Sequence, residues 1–285
     1  MDNPKTFFIT GATGNQGGAT ARNLLAQGHH VKALVRDINH PNAKALQDIN
    51  AQLVKGDLDD VQSYRRELDG ADGVFSLHTY RNGVSREIAQ ARALADAAVI
   101  ARIKHYIYSS VAACDRKTGI PHFESKNTIE QHIKSTGLPA TFIRPTSLYE
   151  NFLFPQVKNR ILKAKFVAPL DKNVVQQMVS TEDVGKISAH VFSDPQKYIG
   201  KTITLAADQM DQGQMADAFT QALGKEIKYA RLPGLITRLA MGKDLHTMFK
   251  YINRHGGAFE KDYLAVNKDL PPMMTLKDWI PRHFM

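Results

Sequence analysis

The chain has 285 residues, 43% of them hydrophobic and 8% aromatic, with a formal net charge of +9. That length accommodates one large α/β unit with a smaller lobe, and the composition excludes the disordered class. No apolar run approaches the roughly 18–20 residues that span a bilayer, and a single cysteine excludes an internal disulfide.

Strand and helix signals alternate from the first residues. "KTFFIT" reads as a strand and "GGATARNLLAQG" as a helix stopped by Gly28. "HVKALVRD", "AQLVKGD" and "ADGVFSLH" are further strands, separated by helical patterns in "PNAKALQDIN" and "DDVQSYRRELDG". The long helix "SREIAQARALADAAVIAR" precedes the strand "IKHYIYSS", and the helix "FESKNTIEQHIKSTG" precedes "LPATFIRPT". This spacing predicts parallel βαβ units in a doubly wound Rossmann sheet, with right-handed crossovers and helices on both faces.

Beyond residue 150 the rhythm loosens. "NFLFPQVKNRILKAK" reads as a helix, "VVQQMVSTEDVGKISAHVF" as a strand and a helix, and "KTITLAA" as another strand. A helix in "DQGQMADAFTQALG" and a strand in "EIKYARLP" follow. The expected division is a dinucleotide-type domain over 1–150, to which 174–206 returns, and a smaller C-terminal α/β lobe over 151–285 for a substrate or a partner.

The N-terminus runs straight into a strand without the ordered regions of a signal peptide, so a cytoplasmic location is expected. The basic residues are dispersed. Their densest run, "VKNRILKAKF", reads as a solvated helical face, and no nucleic-acid motif accompanies it. Neither a membrane nor nucleic acid is expected as a partner. The eleven histidines form no HExxH or similar cluster, so no metal is expected.

Gly11, Gly14 and Gly17 stand at three-residue spacing between the first strand and the first helix, with Thr13, Asn15 and Gln16 among them. In that position glycines permit a tight turn and a close backbone approach to a pyrophosphate. The helix start then offers unpaired N–H groups to it. At the end of the second strand an acid would bind the ribose of NAD, and an arginine the extra phosphate of NADP. Arg36 stands there with Asp37 behind it, so NADP(H) is the preferred cofactor and NAD(H) the alternative. Asp57 and Leu58, after the third strand, are placed to flank an adenine; Asp57 could equally cap a helix.

The ordered set "ITGATGNQGG", "VRD", "GDLDD", "HFESKNTIEQHI", "TFIRPTSLYENF" and "STEDVGKISAHVF" resembles the NmrA-like family of atypical short-chain dehydrogenase/reductases over nearly the whole chain. The resemblance implies an NAD(P)-binding Rossmann fold. It also implies one of two functions, a reductase of quinones or other small molecules, or a redox sensor acting through a protein partner.

The short-chain dehydrogenase pattern carries a serine and a Tyr-x-x-x-Lys pair. Here His122 occupies the tyrosine position, Lys126 is kept, and Ser109 and Ser110 end the fifth strand upstream. His122 is open to three readings: a general acid, a ligand contact without proton transfer, or a helix-start residue. Lys126 is expected on the nicotinamide ribose, and Ser110 or Ser109 on a substrate carbonyl. His78, Thr79 and Tyr80, at the end of the fourth strand, are candidates for contact with the cofactor. Pro145 and Thr146 resemble the family's segment beside the nicotinamide, with Tyr149 and Asn151 towards the substrate. Cys114 reads as a buried small residue. The functional expectation is hydride transfer from NADPH to a quinone or other electron-poor small molecule. The alternative is a non-catalytic NADP(H) sensor with a regulatory protein partner.

Overall fold

In the computed structural model, which describes residues 3–285, the alternating pattern resolves into a seven-stranded sheet. Six of its strands are β1 (Thr6–Ile9), β2 (His30–Val35), β3 (Gln52–Lys55), β4 (Gly73–Ser76), β5 (His105–Ser109) and β6 (Ala140–Pro145). The spatial order is Thr202–Leu205, β6, β5, β4, β1, β2, β3. The pairings of β1 with β2 and β4, β2 with β3, β4 with β5, and β5 with β6 are all parallel. Every residue of β4, β5 and β6 is buried, as a sheet covered on both faces requires.

Helices α1 (Asn15–Ala26), α2 (Pro41–Gln47), α3 (Val84–Ile100) and α4 (Pro121–Ser135) connect these strands. One core cluster joins Phe8, Tyr64, Val74, Leu94, Tyr106, Tyr108, Ile129 and Phe142. Burying each such side chain contributes about 1.5–3 kcal/mol. On α1, Ala19 meets Gly185 of the helix Thr181–Ser193. A Cβ on Gly185 would lie 2.4 Å from the Ala19 carbonyl carbon, so only glycine permits this approach.

The chain forms two compact units. The first contains the chain up to Cys114, His122–Arg144 and Thr181–Ile203. The second contains Asp115–Pro121, Pro145–Ser180 and Thr204–Met285. Within the second, Gln176–Val179 lies between Ser147–Leu148 and Asp208–Met210, and Lys165–Ala168 pairs in parallel with Lys228–Arg231. Its core gathers Tyr149, Phe152, Phe166, Phe219, Trp279 and Phe284. The helix Gln212–Leu223 is fixed by a capping box between Asp211 and Gln214 and closed by left-handed Gly224.

Two local expectations change. The region read as a third helix is a pair of short 3-10 segments, Val61–Ser63 and Arg65–Leu68. The Ser63 hydroxyl donates to the Asp60 carbonyl, at 2.6 Å, and so competes with regular helix. The tail of the pattern read as helix in 151–165 ends at Leu162, and Lys165 begins a strand. Among the described residues no helix is long and apolar enough to cross a membrane, and no group of three or more His, Cys, Asp or Glu could hold a metal ion.

Candidate functional site

The strand order reverses between β1 and β4, since the chain leaves β1 towards β2 and β3 but leaves β4 towards β5 and β6. Loops at the carboxyl ends of strands on either side of such a point form a crevice suited to a ligand. The Gly11–Gly17 loop begins there. Gly11 takes φ +64°, a left-handed conformation that favours glycine. A Cβ on Gly17 would lie 2.4 Å from the Gly11 carbonyl oxygen and 2.6 Å from that of Thr10, which packs the helix start directly onto the turn. The Gly14 N–H closes the turn onto the Gly11 carbonyl at 2.9 Å.

Gly14 is also the N-cap of α1, and no side chain caps the helix there. The first-turn N–H groups have no partner inside the helix, so they are donors suited to an anion. Two contacts brace the loop. Ser109 Oγ donates to Gln16 Oε1 at 2.7 Å, and Asn42 Nδ2 donates to the Thr13 carbonyl at 2.8 Å. Asn15 is exposed beside them.

Arg36 is exposed at the end of β2. The neighbouring Asp37 accepts the Asn39 N–H at 2.8 Å and so closes its own turn. Asp57 likewise accepts the Asp59 N–H at 3.0 Å, and Leu58 packs against the main core. Asp59 is gripped by Arg86, and Gln90 donates to it at 2.7 Å. The Arg86 hydrogen bonds, followed by that of Gln90, hold its carboxyl below the usual range.

Lys126 lies one helical turn beyond His122 on α4, and both are buried. Its ammonium donates to the His78 carbonyl at 3.0 Å and sits 2.9 Å from Glu87 Oε1. Glu87, fully buried in the first turn of α3, also accepts the Ser125 hydroxyl at 2.6 Å. The His78 ring is 3.0 Å from Ser76 Oγ. Burial, reinforced by the Lys126 charge, pushes the His78 imidazole down to about 3, so it is neutral at physiological pH. Thr79 caps the short turn Tyr80–Asn82, whose Tyr80 ring stacks on His122 with centroids 4.4 Å apart.

Ser110 Oγ lies 3.6 Å from Cys114 Sγ, which in turn donates to Glu130 Oε1 at 3.2 Å. Glu130 takes a fork of bonds from Arg144, at 2.8 and 2.7 Å. Burial works most strongly to raise the Glu130 carboxyl, but hydrogen bonds from Arg144, Ser110 and Cys114, together with the Arg144 charge, outweigh it and the net direction is down. Burial and the Glu130 charge push the Cys114 thiol up to about 12, which disfavours the thiolate.

Pro145, Tyr149 and Asn151 belong to the second unit. The Tyr149 ring, expected on the substrate side, is fully buried in that unit's core, and its hydroxyl donates to Asp208 at 2.6 Å. Pro145 is buried, Asn151 is exposed, and Thr146 is bonded through both N and Oγ1 to the Leu205 carbonyl. The first unit therefore brings together the glycine loop, Gln16, Ser109, His78 and Lys126 at neighbouring strand ends. Sequence reasoning missed Glu87 and Ser125. The one signal was an acid in the first turn of a long helix, and that has an ordinary explanation in the helix dipole.

A glycine turn beneath an uncapped helix, at the reversal point of a parallel sheet, defines an α/β protein of the Rossmann type with a loop of dinucleotide-binding form. The chain belongs to the NmrA-like family, whose family model matches residues 3–280. It is 32% identical over 243 residues to the nitrogen metabolite repression protein nmrA of Emericella nidulans, across 80% of this chain and 68% of that protein. It is 26% identical over 325 residues to the NmrA-like family domain-containing oxidoreductase hkm9 of Aspergillus hancockii, across 98% and 97%. The crystal structure of NmrA, a negative transcriptional regulator, in complex with NAD matches with a TM-score of 0.81 and 25% identity over 99% of this chain and 96% of that one. The complex of the same regulator with NADP gives 0.80, with the same identity and coverage.

Proposed function

We propose that the chain binds NADP(H) on the Gly11–Gly17 loop and passes hydride from NADPH to a quinone or other electron-poor small molecule. The observation that carries this reading is the cradle itself, a glycine turn with Gly17 seated on Gly11 and an uncapped α1 above it. Gly11, Thr13, Gly14, Asn15, Gln16 and Gly17 would hold the pyrophosphate. Arg36 would take the 2′-phosphate, a reading favoured because Asp37 is engaged in its own turn. Lys126 would hold the nicotinamide ribose, and the oxidoreductase among the relatives supports the reductase reading of the chain as a whole.

Bound NADPH would supply the hydride. The chain's part is to orient the cofactor and, through His122 or solvent, to allow a proton to reach the reduced acceptor. Quinone-like acceptors need no phenolic donor for the first step, so His122 in place of tyrosine is compatible with them. The test is a fluorescence titration with NADPH followed by its oxidation against quinones, enones and aldehydes. Tight binding with acceptor-dependent oxidation supports the reading; tight binding with no oxidation above background by any acceptor refutes the catalytic half.

A second reading, a cofactor-gated binding protein, is favoured by the missing tyrosine and by the regulator among the relatives. It requires different affinities for NADP+ and NADPH. Equal affinities in the same titration, together with a partner surface unaffected by cofactor, would rule it out. Burial of the Cys114 thiol favours a sensor that reads the nucleotide over one that reads a cysteine.

A further inference from the structure

Lysine carries its charge on a flexible stem and, unless held, leads it out to water. Lys126 is held instead, with its side chain only 9% exposed. Three elements converge on its ammonium. The segment after β4 contributes the His78 carbonyl at 3.0 Å, α3 contributes the Glu87 carboxylate at 2.9 Å, and β5 contributes the Tyr108 ring at 5.3 Å. The carboxylate is itself fixed, because Ser125 Oγ donates to its other oxygen at 2.6 Å while also reaching the His122 carbonyl at 3.2 Å. An ammonium has three donors. The carbonyl and the carboxylate account for two contacts, and at least one donor is left for a ligand.

We propose that Glu87 is a positioning residue, which pins the Lys126 ammonium against the His78 carbonyl so that its remaining donor is presented to the nicotinamide ribose of a bound cofactor. The proposal rests on the NADP(H)-binding reading above. Glu87 touches neither cofactor nor substrate and acts through Lys126. Because the buried pair is neutral overall, Lys126 does not serve as a general attractor of phosphates. Its contribution is directional and confined to the ribose it meets, as preorganised donors act. Ligands lacking that ribose should not sense Glu87 at all.

The test compares NADPH with 2′,5′-ADP, which carries only the adenosine half. Glu87→Gln keeps the shape and an acceptor oxygen but removes the charge. NADPH affinity is expected to fall about tenfold while 2′,5′-ADP changes less than about twofold, and in a Lys126→Met background Glu87→Gln should shift NADPH affinity by less than about twofold. If Glu87→Gln does not fold, Glu87→Asp, which keeps the charge but withdraws it by one methylene, should show the same ligand selectivity with a smaller loss. Parallel losses for both ligands would overturn the proposal, as would an undiminished effect of Glu87→Gln without Lys126. A wild-type protein that binds 2′,5′-ADP but not NADPH would overturn it too. A wild-type protein that binds neither ligand would instead overturn the cofactor reading on which it rests.

Discussion

Replacing Lys126 by methionine would leave the Glu87 carboxylate fully buried with its charge partner gone. Ser125 would still donate one hydrogen bond, but among the described residues no other cation is found within pairing distance of Oε1. Removing one partner of a buried ion pair costs about 3–5 kcal/mol, because the surviving charge stays desolvated. For a domain of this size each kcal/mol lowers the unfolding midpoint by roughly 2–4 °C, so the expected fall is about 6–20 °C. The double variant Lys126→Met, Glu87→Gln removes both charges and keeps an oxygen for Ser125. It should recover to within about 1–2 kcal/mol of the parent, since neutral replacements of similar volume are commonly tolerated. Thermal unfolding followed by circular dichroism at pH 7 measures both. A single variant as stable as the parent would refute the pairing, and so would a double variant no more stable than the single. The same comparison governs any activity assay on Lys126 variants, where lost turnover has to be separated from lost folded protein.

Other outcomes follow from the same geometry. Gly17→Ala pushes a methyl against the Gly11 and Thr10 carbonyl oxygens, and should cost about 1–3 kcal/mol while lowering NADPH affinity in a titration of the folded fraction. Arg36→Ala should weaken NADPH by roughly 10–100-fold while leaving NADH unchanged, the value of a charge-assisted bond to phosphate. Cys114 should resist alkylation at pH 8 in the folded protein and react once denaturant exposes it, as mass spectrometry would report. Burial, with the Lys126 charge at His78 and the Lys5 charge at His105, pushes His78 down to about 3 and His105 to about 4, both from an ordinary 6.5. The unfolded chain therefore takes up protons that the native state refuses. Stability is full above 6.5 and falls on acidification, down to about 4 for His105 and about 3 for His78, by up to ~1.4 kcal/mol per pH unit for each histidine. Urea midpoints between pH 7.5 and 4 would show this, and His78→Gln should flatten the slope.

The parallel sheet was legible in the sequence because its signals are local. Each strand is a short apolar run, and each is followed by a helix-length pattern within the next few residues. The glycine loop was legible because its three glycines lie between two such signals, and the close approach of Gly17 to Gly11 is the physical reason they are glycine. What was not legible depends on distant partners. Glu87 and Lys126 are 39 positions apart and meet only because α3 and α4 place them together beside the end of β4. Tyr149 lies in a polar-looking stretch, yet Trp279 and Asp208, far along the chain, draw it into a core. The strand Lys165–Ala168 follows a helical run directly and exists through its pairing with Lys228–Arg231. Ser109 steadies Gln16 in the loop, and Ser110 lies against Cys114.

The most direct measurement is a single titration of the purified protein with NADPH, followed in the same cell by addition of a simple quinone. The account predicts saturable binding, weakened by Gly17→Ala and by Arg36→Ala, and then quinone-dependent loss of the reduced nicotinamide signal. Absence of saturable binding by the folded protein would contradict it. Binding without oxidation by the quinone or any other acceptor would leave the cradle in place and assign the chain to the regulatory side of its family.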